Sequence, residues 1–286
     1  MKHLHFLSVL ILAGLAGTVI AQEAAVKKYD LRYNPQGELV TRQELSAKID
    51  NVTMESNPLG IEGWMKSKLQ HTATAIDAQK QTFIMTLKLD DIQQEFNGQA
   101  MKGKTETSLC LEVSPLGELV GPQGRNFDLT QLGTAGIPTE LLAVMCYLVR
   151  FPDHPVAVGE EWEIAQTLQV DERCMPIPMN VTTKLDRVEH DRYIRLLSQV
   201  RVHLASFRAP NPLGYGDPVP INNGEMTISN LWRIFDLANG VVIHAEGKAR
   251  FNAQVDMGGF PLNVQVDWSM ALKPEPQETQ QPAGTR

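Results

Sequence analysis

From Val241 to Val255 the odd positions (Val241, Ile243, Ala245, Gly247, Ala249, Phe251, Ala253, Val255) are apolar or small, and the even ones from His244 to Gln254 are polar. Strict period-two alternation is the signature of a β-strand with one buried and one wet face. The turn-forming stretch Met257-Gly258-Gly259-Phe260-Pro261 follows. Beyond it Leu262, Val264, Val266, Trp268, Met270 and Leu272 alternate with Asn263, Gln265, Asp267 and Ser269, so the two runs are expected to pair antiparallel. The same pattern marks Trp162, Ile164, Leu168 and Val170; Ile194, Leu196, Val200, Val202 and Leu204; Phe83, Met85, Leu87 and Leu89; and Leu109, Leu111 and Val113. Several runs exceed the usual strand length of about five or six residues. Strands this long favour a mainly β fold built on a large curved antiparallel sheet or half-open barrel over a compact sandwich.

The pattern is written twice. Gly37-Glu38 and the later Leu111–Val120 stretch of the first half correspond to Gly159-Glu160 and Ile234–Ile243 of the second, at nearly equal offsets, which suggests two similar halves. Residues 137–150 break the alternation. Pro138 suits a first helical turn, Glu140 and Arg150 complement the two ends of the helix dipole, and the stretch is apolar nearly all round. A buried helix at about 138–150 is expected there, on the concave side of the sheet. Residues 208–224, rich in proline and glycine, read as a loop that holds no regular strand, and 273–286 as a disordered Pro/Gln-rich tail. The organisation is thus a signal segment (1–21), a first β half (22–136), a connecting helix (137–150), a second β half (151–272) and the tail.

Lys2, the apolar run from Phe6 to Ile20 and the small residue Ala21 before Gln22-Glu23 have the form of a secretory signal peptide cut after Ala21. The chain is therefore expected to be exported, to the periplasm or the exterior. The run falls short of the roughly 20 residues that span a bilayer, and no later segment approaches that length, so no transmembrane segment is expected. With 33 acidic against 26 basic side chains and a net charge of −7, dispersed along the chain, nucleic acid is an unsuitable partner. Cys110, Cys146 and Cys174 allow one disulfide in three pairings, and the sequence does not choose among them or fix an oligomeric state.

Chemistry is hard to find. The histidines stand in no HExxH or HxH arrangement, and GxSxG, GxxxxGK[ST] and strand-linked GxGxxG motifs are lacking. The adjacent acids Asp90-Asp91 and Glu160-Glu161 point to opposite faces of a strand and make no acid/base dyad. No catalytic residue, metal ligand or cofactor site is assigned, and the chain is not expected to be an enzyme.

The stretch Phe151-Pro152-Asp153-His154-Pro155-Val156-Ala157-Val158-Gly159-Glu160-Glu161-Trp162 resembles a recurrent phrase of an uncharacterised family of exported bacterial proteins, a domain of unknown function. Tyr29-Asp30-Leu31-Arg32-Tyr33-Asn34-Pro35-Gln36-Gly37-Glu38 is similar to that family's first strand and turn. The resemblance spans roughly residues 29–272. It implies an architecture like the half-open β-barrels of periplasmic lipoprotein carriers, in which a curved sheet wraps a helix-covered apolar cavity. The expectation is non-enzymatic binding of an apolar or lipid-like ligand, with Trp162, Trp232, Phe251 and Trp268 as the lining residues. The alternative is a structural or protein-interaction module of the cell envelope with a filled core, using the 208–224 segment to contact an envelope protein.

Overall fold

The computed structural model describes residues 26–33, 39–77, 82–100, 105–120, 139–168, 177–204, 207–209, 219–256 and 259–275. They form β1 (Lys28–Tyr29), β2 (Leu39–Met54), β3 (Asn57–Pro58), β4 (Gly63–Asp77), β5 (Thr82–Phe96), β6 (Gln99–Ala100), β7 (Thr107–Val113), helix α1 (Thr139–Tyr147), β8 (Val156–Ala157), β9 (Glu161–Leu168), β10 (Ile177–Glu189), β11 (Tyr193–Leu204), β12 (Phe207–Ala209), β13 (Val219–Asp236), β14 (Val241–Asp256) and β15 (Pro261–Pro274). The signal segment, Cys174 and residues 276–286 lie outside the described residues. No described helix is long and apolar enough to cross a membrane.

One antiparallel sheet of 13 strands dominates, in the order β6-β5-β4-β2-β15-β14-β13-β11-β10-β9, with β7 beside β5, β3 beside β2 and β12 beside β13. β1 and β8 form a separate two-stranded pair. Among the described residues β7 and β9 do not pair, so the sheet is open. Neighbours in sequence are mostly neighbours in space because the turns between them are tight. Glu55 and Ser56 (φ 48° and 66°), Asn97 and Gly98 (φ 50° and 76°) and His190 and Asp191 (φ 54° and 52°) all take the left-handed conformations that match the twist of hairpin strands.

The exception to this order is the middle of the sheet. There β15 pairs with β2, from Val264 opposite Met54 to Pro274 opposite Gln43. β7 and β9, which flank α1 in sequence, consequently stand at opposite edges, and the chain between them must cross a face of the sheet. Helix α1 lies on that crossing, nearest β14 and β15. The approach is anchored by the turn after β7. Gly117 has φ +78°, and a Cβ there would stand 1.9 Å from the Val149 carbonyl oxygen, so only glycine fits.

Registers give each face its composition. A single transverse row runs Leu185, Leu196, Arg233, Ala245, Leu272, Leu45 and Ser67, each directly opposite the next, and every member is buried. This face carries the core, with Leu142–Val149 of the helical segment, Leu31, Tyr33 and Phe151 packed in. Tyr33 contacts Phe83, Phe151 and Phe235 at ring separations of 5.6, 5.4 and 5.3 Å.

Three expectations are corrected. Helix α1 ends at Tyr147, short of the expected 150, so Arg150 lies beyond its last turn. Val219–Gly224 belongs to β13, and β12 pairs with it from Phe207 opposite Ile221 to Ala209 opposite Val219, so part of the supposed 208–224 loop is strand. Pro220 is tolerated because it sits near the start of its strand. Likewise β15 continues through Lys273 and Pro274, two residues into the expected tail.

Candidate functional site

The helix-bearing face holds polar groups in an apolar setting. Tyr33 Oη donates to the Tyr147 carbonyl oxygen at 3.1 Å and accepts from the Val149 amide at 2.7 Å, while Arg233 Nη1 donates to the Leu148 carbonyl oxygen at 2.9 Å. Together they satisfy backbone groups left over where α1 stops, and the guanidinium meets the negative end of the helix dipole. No carboxylate pairs with Arg233 among the described residues, and burial lowers its pKa to about 10, which leaves it charged at neutral pH. The Tyr147 hydroxyl lies 2.9 Å from Thr41 Oγ1, and its ring packs on His71 at 4.4 Å. Burial pushes His71 down to about 3, so the ring is neutral, and it raises both tyrosine hydroxyls.

Several buried polar atoms on this face lack a partner: Gln43 Oε1, both ring nitrogens of His71 and Arg233 Nε. Each such atom costs on the order of 1–3 kcal/mol when left unpaired. Cys146 Sγ lies 3.8 Å from Met270 Sδ, and burial pushes its thiol up to about 12, which makes it unreactive. Cys110 is exposed on β7, and both thiols are free.

The four sequence-selected aromatics do not form one cluster. Trp268 and Phe251 sit together on the helix-bearing face, with centroids 6.3 Å apart. Trp162 is buried on the distant edge strand β9, its indole Nε1 donating to the Arg150 carbonyl oxygen at 2.9 Å. Trp232 lies on the opposite face, half-exposed, stacked on His244 at 4.5 Å with the Arg195 guanidinium 5.5 Å from its ring. The cause is a register shift between Ser229 and Trp232, where Asn230 takes φ 52°. Before that bulge Met226 and Ile228 point inward; after it Leu231, Arg233 and Phe235 do, so one extra residue turns Trp232 out and Arg233 in.

The open face carries a hollow of about 720 Å3 across β4, β2, β15, β14 and β13. Two adjacent transverse rows build it. One runs Trp232, Glu246, Ala271, Ser46, Lys66, and the other Lys248, Ser269, Lys48, Trp64. Ala271 and Ser46 in one row and Ser269 in the other are small side chains set among longer ones, and an indole stands at one end of each row, on opposite sides. Lys273 also lines the space. Glu246 accepts from Lys273 at 3.2 Å and lies 3.3 Å from His244. Partial burial works against its ionisation, but these two partners outweigh it and hold the carboxyl below its usual value.

Sequence reasoning missed Trp64, His71, Arg233 and these lysines. The available signal was parity. Trp64 shares the wet positions of β4 with Lys66 and Lys68, whereas His71 shares the dry ones with Leu69 and Ala73. The described residues contain no group of three potential metal ligands. No protein-family model matches this chain, and no curated protein matches it.

Proposed function

We propose that this chain is a non-enzymatic binding protein of the cell envelope, exported by its N-terminal segment, that holds an amphipathic, lipid-like ligand between α1 and the sheet face beneath it. In this reading the sheet is curved and half-open, made of two related halves with α1 on its concave side, the architecture of lipoprotein carriers that the resemblance to an uncharacterised exported family implies. The similar turn conformations of Gly117 and Gly240 (φ +78° and +63°), in the turns after β7 and β13, support the two-halves view. The observation that carries the function is the set of unpartnered buried atoms of Gln43, His71 and Arg233 on an otherwise apolar face. Interiors fill such positions with water or ligand atoms. A molecule with a polar, acidic head and an apolar body offers acceptors to Arg233 while its tail replaces core contacts.

A filled core with an interaction role is the second reading, favoured by the close packing of Leu142–Val149, none more than 7% exposed. Native mass spectrometry of the mature chain purified from its own envelope, followed by organic extraction, separates the two. We expect a co-purifying amphiphile of defined mass that is lost in Arg233→Met. That variant removes a buried charge that has no carboxylate partner among the described residues but leaves the Leu148 carbonyl oxygen without its donor, so circular dichroism checks that it folds. A clean apo mass with no uptake of added lipid would refute the ligand reading.

A further inference from the structure

The hollow on the open face is on the other side of the sheet from α1 and plays no part in the binding just described. Its volume of about 720 Å3 lies within the roughly 300–1,000 Å3 of small-ligand clefts. It crosses five adjacent strands, four inter-strand steps, so its long dimension is about 19 Å at the usual strand spacing.

Its charge is opposite to that of the protein. In a chain of net charge −7, the lining holds Lys48, Lys66, Lys248 and Lys273 against one carboxylate, Glu246. Lys273 is engaged by Glu246, and Lys66 stands 4.0 Å from Glu44. Lys48 and Lys248 have no carboxylate partner among the described residues. They flank Ser269 from either side in one transverse row, so two like charges are held two strands apart. Asp50, on the same strand as Lys48, accepts from Ser269 Oγ at 3.0 Å.

The remaining lining selects among anions. The Trp64 indole is half-exposed, and its N–H has no acceptor among the described residues. Serine hydroxyls and the Asn230 amide complete a surface rich in hydrogen-bonding groups. Every strand crossing the hollow is paired on both sides, so an extended peptide cannot add main-chain hydrogen bonds there. A membrane surface meets protruding aromatics, and here the indoles wall a depression. A sugar ring presents an apolar C–H face to an indole and hydroxyls to serine, lysine and amide groups.

We propose that this hollow is a second binding site, for a short segment of acidic carbohydrate, with Trp64 as stacking platform and Lys48 and Lys248 as the carboxylate-binding pair.

The test is isothermal titration of the mature full-length protein with a uronic-acid tetrasaccharide, with neutral cellotetraose as control. The acidic sugar should bind at least about tenfold more tightly than the neutral one, and its affinity should fall as salt is raised, since the surface charges are screened. Trp64→Ala and the double variant Lys48→Ser/Lys248→Ser should each weaken it by about tenfold or more. All three positions lie on the open face, so folding should be unaffected, and circular dichroism checks it; if Trp64→Ala fails to fold, the lysine pair decides alone. Equal affinity for both sugars, or unchanged binding in the folded variants, overturns the proposal. So does tighter binding of poly-glutamate or of phosphatidylglycerol vesicles, which would assign the hollow to an acidic polypeptide or a membrane.

Discussion

His71 shows how one residue couples burial to pH. The unfolded chain takes up a proton on this ring near pH 6.5, whereas the buried ring resists protonation until about pH 3. Between those limits the unfolded state binds more protons than the folded one, so protonation pulls the equilibrium toward unfolding. Stability is therefore lost as pH falls through that window, at up to about 1.4 kcal/mol per pH unit from this group alone. We expect His71→Phe, which keeps a ring against Tyr147, to lose less stability than the parent between pH 6.5 and pH 4. Urea midpoints at the two values measure it, and equal losses would contradict the assignment. Arg233 and Trp232 teach the converse lesson about legibility. Their sequence neighbours predict the wrong side for Trp232, because a bulge at Asn230 reverses parity, and the left-handed conformation that makes the bulge is cheap for asparagine and leaves only a weak trace in composition.

At the scale of elements, the strongly alternating strands were readable almost to the residue. Asp256 opposite Pro261 closes the β14–β15 hairpin, within one residue of the turn expected at 257–261, because glycines stand between two unbroken period-two runs. The buried residues of β5, β7 and β11 follow their apolar parity for the same reason. Less legible was the base of the 208–224 segment, where proline content hid a short ladder. Helix α1 was legible as apolar all round, but how it stops was not, since the groups that cap it come from remote elements, Tyr33 and Arg233. Tyr33→Phe removes a donor and an acceptor together, leaving the Tyr147 carbonyl and Val149 amide unpaired in a buried site. We expect a loss of about 1–3 kcal/mol, read from the shift in thermal or denaturant midpoint. A change near zero would show that the helix end finds other partners.

For the whole molecule, the decisive contact joins β2 to β15, and no local pattern announces it. Both strands alternate as expected, but pairing between the first long strand and the last is a matter of global arrangement. Without β15, the β2 and β14 edges would present rows of unpaired backbone groups and apolar side chains. A chain ending at Asp256 should therefore self-associate, with oligomers seen by light scattering at concentrations where the full chain shows one species of lower mass. A truncated chain of the same oligomeric state as the parent would argue that the two parts of the sheet are independent.

That arrangement also sets a timetable. A ribosome makes β2 more than 200 residues before β15, so the centre of the sheet cannot close until Pro274 has been made. If the chain is exported as proposed, an unfinished sheet with two open central edges is the species that must be kept apart from its neighbours during transit, and the interval before β15 arrives is when this protein is most exposed to misassembly.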